Sequence, residues 1–160
     1  MKQGYAQIER MVQATLDGLT GLVRLIYASR WAVPEGRVLD EEVRKIVIAS
    51  MNNNRLVNVT GLLLVHDGWF VQALEGPAAG VRETYERVAM DQRHTDVTLI
   101  EVAPAKARAF RDWNMTERRL TALQGPILAK FGQGEVFDPS TMSGEQAFGL
   151  LSALGIAYAA

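Results

Sequence analysis

Val59-Thr-Gly-Leu-Leu-Leu-Val-His-Asp-Gly-Trp-Phe-Val-Gln-Ala-Leu-Glu-Gly76 is the stretch whose reading decides the fold. Asp67-Gly68 at its centre is the strongest short hairpin signal in the chain, because a tight two-residue turn favours these residues. Val59 to His66 and Trp69 to Glu75 are therefore expected to be paired strands. The first is apolar on both faces, Leu62 and Leu64 against Leu63 and Val65, so the sheet needs cover on both sides.

Upstream, Leu22 to Tyr27 is strand-like, with Val23, Leu25 and Tyr27 on one apolar face. Asp40 reads as the N-cap of a helix running to about Asn54, with Glu41 and Glu42 in its first turn. Val43, Ile46, Val47, Ser50 and Met51 mark its inward stripe, and Asn54 lies ~20° from Val43, so a carboxamide points at the core. Downstream, Gly76-Pro77 opens a second helix with the stripe Val81, Tyr85, Val88 and Ala89. Asp96 to Val102 is a fourth strand ended by Pro104, and Arg108 to Met115 a fifth. Phe110 and Trp113 have opposite parity in that strand, so a bulge is expected between them.

The order β-α-β-β-α-β-β specifies an α+β class: a ferredoxin-like five-stranded mixed sheet with two helices on one face. An N-terminal helix over residues 3 to 17 is expected, with Tyr5, Ile8, Val12, Thr15 and Leu16 at helical spacing and Gly18 as its stop. C-terminal helices are expected to cover the other face. Ser143-Gly-Glu-Gln146 is a capping box, followed by the stripe Ala147, Leu150, Leu151, Leu154 and Tyr158. The chain thus divides into an N-terminal extension (1–21), a central domain (22–116) and a helical cap (117–160).

Composition removes several function classes. The net charge is −1 with Lys and Arg scattered, which is no nucleic-acid footprint. There is no cysteine, so disulfides, thiolate nucleophiles and Cys-containing metal sites are excluded. His66 and His94 are not a close pair, so no zinc site is expected. Charges interrupt every apolar run near the N-terminus and no stretch approaches the ~20 residues of a membrane span, so a cytoplasmic protein is expected.

Four side chains remain that packing alone does not explain. Tyr27 sits on the apolar face of its strand, Gln72 shares a face with Phe70 and Leu74, Asn54 lies in a core stripe, and Met115 ends the last strand two residues after Trp113. A strand tyrosine is ordinarily a core aromatic and a helix-end asparagine a cap. Buried together without partners, such groups cost ~1–3 kcal/mol each. A bound planar heterocycle with several donors and acceptors satisfies them.

At this point the chain resembles the BLUF family, blue-light sensors using FAD. The matching segments are Leu25-Ile-Tyr27-Ala-Ser29, Asn52-Asn-Asn54 before Val59-Thr-Gly61, Phe70-Val-Gln72-Ala-Leu74-Glu-Gly76, Asp91-Gln-Arg93-His94 and Arg108-Ala-Phe110-Arg-Asp-Trp113-Asn-Met115. Five separated motifs in the right order make the resemblance specific over roughly residues 22 to 116. It implies that Tyr27 is an electron and proton donor and that Gln72 stands between it and the flavin. It implies that Asn54 bonds the ring edge and that Trp113 and Met115 respond on the last strand. Arg87, Asp91 and Arg93 fall where the family's second helix contacts the ring edge and the ribityl or phosphate groups. Asn53 stands where some members carry histidine or another asparagine. Arg87 and Asp91 also read as an i,i+4 surface ion pair. His94 reads as a solvated turn residue inside a matching motif, and His66 as surface.

The resemblance implies a photoreceptor that holds FAD non-covalently and is no enzyme, with FMN or riboflavin presenting the same ring. Light would move an electron and a proton from Tyr27 through Gln72 and leave the amide rearranged. The signal would leave through the last strand and C-terminal helices, to an unidentified downstream protein or within a homodimer or higher oligomer. Uncovered apolar stripes on the terminal helices motivate the oligomer. No effector domain, nucleic acid or membrane is expected. The competing readings are a ferredoxin-like interaction module without chromophore and an acylphosphatase-type hydrolase. The latter would need an anion-cradling loop near Arg30 or Arg37, where Gly36 is the only glycine. No G-x-G-x-x-G nicotinamide fingerprint is present.

Overall fold

Asp67 and Gly68 both adopt positive φ, 45° and 81°, as a type I′ turn between twisted strands requires. The hairpin they close joins β2 (Thr60–His66) to β3 (Trp69–Pro77). β1 (Leu22–Trp31) pairs antiparallel with β3 on one side and with β4 (His94–Pro104) on the other. β5 (Thr116–Arg119) adds parallel to β2, giving one mixed sheet in the order β4-β1-β3-β2-β5. The computed structural model describes the chain apart from Met1, Pro34, Asp112, Trp113, Ala122, Leu123 and Ala160, and apart from the side chains of residues 2–8, Met11 and 156–159. The expected contributions of Tyr5, Ile8 and Tyr158 lie outside the described side chains.

Strand alternation sorts the core into two layers. Val23, Leu25 and Tyr27 of β1, Leu63 and Val65 of β2, and Phe70 and Leu74 of β3 face α2 (Leu39–Leu56) and α3 (Ala78–Met90), meeting Val43, Ile46, Val81 and Tyr85. α1 (Lys2–Asp17) joins this same layer through Val12 and Leu16. The opposite face, with Ile26, Ala28, Leu62, Leu64, Val71 and Ala73, is covered by the C-terminal elements. These are α4 (Ile127–Lys130), a short 3-10 turn at Pro139–Thr141 and α5 (Gly144–Ala159). The capping box forms reciprocally: Ser143 Oγ accepts from Gln146 N at 3.1 Å and Gln146 Oε1 accepts from Ser143 N at 3.0 Å. Ala147, Leu150, Leu151 and Leu154 are all fully buried by the chain's own sheet. Of the stripes that motivated an oligomer, the described members Val12, Leu16, Ala147, Leu150, Leu151 and Leu154 are covered within one chain, while Thr15 is exposed.

Three local expectations are corrected. Asp40 is not the N-cap: the helix begins earlier, with Val38 at the cap and no side-chain bond, and Asp40 in its first turn accepts instead from Arg119 of β5 at 2.7 Å. Met51 is 46% exposed, since it lies ~80° round the helix from Val43, past the edge of the buried stripe. Residues 108–111 are not strand. The main-chain N–H groups of Ala109 and Phe110 go to the Glu75 carboxylate rather than to a ladder, and regular pairing begins at Thr116. The irregularities that do occur in a strand pair lie between β1 and β4, on either side of Tyr27. No described helix is long and apolar enough to cross a membrane.

Candidate functional site

Tyr27 and Gln72 are direct cross-strand neighbours on β1 and β3, so their side chains leave the sheet side by side. Both are buried, and the Tyr27 hydroxyl donates to Gln72 Oε1. The other end of the amide is also used: Gln72 Nε2 donates to Met115 Sδ at 3.1 Å. Gly61 lies on β2 two residues before Leu63, the cross-strand partner of Gln72, and leaves room for the Met115 side chain. A Cβ there would lie 2.1 Å from the Ala73 carbonyl and 3.1 Å from the Met115 methyl. Burial first, and then Tyr85 and the Asp91 charge, push the Tyr27 phenol well above its ordinary pKa. It is a neutral donor throughout the physiological range.

Asn54 is buried at the end of α2, as its place in the stripe predicts. Its main-chain carbonyl accepts from Val57 and Val59, which ends the helix, and its Nδ2 donates to the Asn114 carbonyl at 2.9 Å. Between α2 and α3 a cleft opens, lined by Asn53, Asn54, Gln72, Arg87, Asp91, Arg93 and His94 together with Ile46, Ala49, Ser50, Thr84 and Val88. All seven side chains picked from the sequence as cofactor contacts therefore meet in one place. Met115 is buried behind Gln72. Trp113 lies outside the described residues.

Two pairings differ from expectation. Arg87 does not pair with Asp91; it pairs with Glu83, one turn back on the exposed face of α3. Asp91 instead takes Arg93 through both oxygens at 2.6–3.2 Å, and Arg93 reaches across to Glu42 of α2 at 3.5 Å. Burial opposes charge on Asp91, but its Arg93 hydrogen bonds win and hold its carboxyl below the usual range. His94 is no solvated turn residue. It is 7% exposed, packs against Phe70 with ring centroids 4.7 Å apart, and has Nδ1 2.8 Å from Ser29 Oγ. Burial pushes its pKa down to about 4, so the imidazole is neutral at pH 7. His66 is half-buried, its ring 5.1 Å from that of Phe137.

Sequence reasoning missed Ser29, Glu42 and Thr84 here. Ser29 was within reach, being two residues after Tyr27 and so on the same strand face. Thr84 bonds its own helix at the Gly80 carbonyl, and no spacing rule marks it as cleft-lining.

The donor set fits a planar heterocycle with an imide edge: carboxamides offer donors and acceptors, and the one anionic wall residue, Asp91, is neutralised by Arg93. The cleft is half open, with room of about 90 Å³, below the ~300 Å³ at the lower end of ligand pockets. Half-buried Asn53 and exposed Arg87 line it, and the surface pair holding Arg87 is worth only ~0.5 kcal/mol. Among the described residues no cluster of three or more His, Asp or Glu could hold a metal ion.

Comparison with known proteins agrees with this geometry. The photoactivated adenylate cyclase subunit beta of Euglena gracilis is 36% identical over 141 residues, which cover 82% of this chain and 16% of that protein. The blue light- and temperature-regulated antirepressor BluF of Escherichia coli is 32% identical over 100 residues, 59% of this chain and 25% of that one. Among solved structures, BlsA in its photo-activated state superposes with a TM-score of 0.76 at 25% identity, covering 84% of this chain and 94% of that chain. BlrB in its dark state gives 0.70 at 28% identity, covering 87% and 98%. The family described as BLUF, sensors of blue-light using FAD, matches residues 22–116, the span that holds Tyr27, Gln72, Met115 and every cofactor contact expected from the sequence. On that match the chain belongs to the BLUF family, blue-light sensors that use FAD.

Proposed function

We propose that light-driven chemistry in this chain runs through Tyr27 and Gln72, and that its output is a shape change rather than turnover of a substrate. Asn53, Asn54, Gln72, Arg87, Asp91, Arg93 and His94 would hold the flavin. When bound, the flavin absorbs blue light and becomes an acceptor of an electron and a proton. Tyr27 is the donor of both, its hydroxyl proton leaving along the existing bond to Gln72 Oε1. Both return, so there is no net redox change. What persists is the Gln72 amide, rotated or tautomerised, with its donor and acceptor exchanged relative to Met115 and the ring edge.

The observation that carries this reading is the buried chain Tyr27–Gln72–Met115, whose central amide also lines the cleft. An amide with both ends bonded has only one or two hydrogen bonds to trade, ~1 kcal/mol net each, so it biases an element already near balance. The segment ending at Met115 is that element, leading into β5 and the C-terminal cap. From there the signal passes to a downstream protein or a second copy of the chain. Size-exclusion chromatography with light scattering, dark and lit, separates these two routes.

The test is the colour and photocycle of the purified protein. It should be yellow, its flavin band should move red under blue light and recover in the dark, and Tyr27→Phe should abolish the shift while leaving flavin bound. A normal photocycle in Tyr27→Phe removes Tyr27 from the role, and a colourless protein after flavin supply favours an interaction module without chromophore. FAD, FMN and riboflavin present the same ring to the cleft, and chromatography of the released flavin identifies which is held. The hydrolase reading has no support in geometry: Arg30 lies over the Trp69 ring at 4.1 Å and Arg37 faces Glu42 at 3.8 Å.

A further inference from the structure

Glu75 lies three residues beyond Gln72 on β3 and on the opposite face, about 10 Å along the strand. Its side chain is fully buried. A buried carboxylate is costly unless every lone pair is used, and here they are. Oε2 accepts from Arg24 Nε at 2.9 Å and Nη2 at 2.6 Å, and Oε1 accepts from the main-chain N–H of Ala109 at 2.9 Å and of Phe110 at 2.8 Å. Arg24 alone could neutralise the charge. The two N–H groups are a further demand, and they belong to the segment that carries Met115.

That segment is held unequally at its ends. At residues 108–110 the holds are charged. Besides the Glu75 bonds, Arg108 donates to Thr60 Oγ1 at 2.8 Å, to the Glu75 carbonyl at 2.9 Å and to the Asn58 carbonyl at 2.7 Å. At residues 114–115 the holds are neutral: the Asn54 amide on the Asn114 carbonyl and the Gln72 amide on the Met115 sulfur. The segment also changes faces, with Phe110 in the layer under α5 and Met115 in the layer under α2 and α3. At the charged end, the Arg24 guanidinium lies 3.9 Å from the centre of the Phe148 ring on α5.

We infer that Glu75 is a positioning residue for the light response, its carboxylate clamping one end of the segment that carries Met115 and joining that segment, through Arg24, to α5. This rests on the Tyr27–Gln72 photochemistry proposed above. With the clamp intact, Met115 moves only against a fixed end, so the segment has two distinct arrangements and the displacement is passed to α5. With the clamp weakened, the segment yields locally, the barrier to return falls, and α5 does not feel the change.

The experiment uses the full chain loaded with FAD and the variant Glu75→Gln. An amide in place of the carboxylate cannot serve both Arg24 and the two N–H groups, while the cleft and the Tyr27–Gln72 pair are untouched. Flavin affinity, the dark spectrum and the size of the red shift should equal those of the parent. Dark recovery should be about tenfold faster, the change expected from losing one hydrogen bond to a charged group. Hydrogen exchange, dark against lit, should show light-dependent changes in both 108–119 and 144–155 of the parent and only around 111–116 in the variant. Should Glu75→Gln fail to fold, Arg24→Lys keeps the charge and one bond and should recover about threefold faster, a smaller loss of the same kind. Recovery within about twofold of the parent in the folded variant overturns the inference, as does α5 exchange that still responds to light. A parent that binds flavin and shows no red shift sinks the photochemical reading itself, and this inference with it.

Discussion

On one face of the β1/β3 ladder Tyr27 stands opposite Gln72; on the other, Arg24 stands opposite Glu75. Both pairs are cross-strand neighbours near the centre of the sheet, yet they differ in every respect that governs whether a contact can change. The first is neutral and hands on to a thioether, a weak acceptor. Exchanging its donor and acceptor costs about 1 kcal/mol net per bond. The second is charged, and its oxygens hold main-chain groups of the neighbouring segment. A hydrogen bond to a charged group is worth ~1.5–3 kcal/mol, and none can be released without leaving a buried charge short of partners. On the proposed mechanism the sheet therefore places a switchable contact and a fixed one three residues apart on a single strand. The segment from Arg108 to Met115 is tied to both.

The largest effect expected from breaking this contrast is on stability at the fixed pair. Glu75→Ala leaves Arg24 unpaired and two main-chain N–H groups without their acceptor, and should cost ~3–5 kcal/mol, read as a fall in the urea midpoint at constant slope. A loss under ~1 kcal/mol would mean the pair is exposed enough to be replaced by water, and the contrast between the faces would vanish.

The next effect belongs to the neutral face and is a pH dependence. His94 has its pKa lowered by burial to about 4 from an ordinary 6.5, so the unfolded chain binds a proton more readily than the folded one. Its contribution is fully present above pH ~6.5, is lost as pH falls toward ~4 and is flat below that. Between pH 7 and pH 5 the fold should lose about 2 kcal/mol from this group alone. His94→Gln should flatten the urea-derived stability profile by that amount, while a slope unchanged in the variant would place the titrating group elsewhere.

How much of this was legible in the sequence depends on whether the controlling interaction was local. The hairpin was, because Asp67-Gly68 dictates its own turn. The α5 cap was, because Ser143 and Gln146 bond each other within four residues. Tyr27, Gln72 and Asn54 could be placed on buried faces from strand and helix periods alone. Residues 108–111 were misread as strand because their alternation is real but their hydrogen bonds go to a side chain 34 and 35 residues away. No period in the sequence reports that. Glu75 stands at the end of an expected strand and inside a matching segment, but its spacing gives no sign of burial, since a glutamate is ordinarily solvated. Arg87 and Asp91 have the right spacing for a pair, and lost it because each had a nearer partner in space, Glu83 and Arg93.

Returning to the neutral pair, Tyr27→Phe removes the donor to Gln72 Oε1 and keeps the ring in its aromatic setting beside Tyr85 and His94. It should cost ~1–2 kcal/mol, the loss of one buried neutral bond with its acceptor left unmet, while on the proposed mechanism it should abolish the photoresponse. That separation between a modest thermodynamic loss and a complete functional one is what a switchable contact predicts. A loss as large as that of Glu75→Ala would deny it.

The smallest effect should come from Met115→Leu. The two side chains have similar volume, and such swaps usually cost under ~1.5 kcal/mol. Only the weak acceptor for Gln72 Nε2 is lost. Stability and flavin affinity should therefore stay near those of the parent while the dark-state position of the flavin band moves, because Gln72 then has one fewer partner fixing its orientation. If the band does not move, the sulfur is a spectator, Gln72 is oriented by Tyr27 alone, and the segment from Arg108 to Met115 is tied to the switch by packing rather than by a hydrogen bond. The clamp at Glu75 would then act on a side chain that fills space beside Gly61, and the contrast between the two faces would be one of bonding against shape.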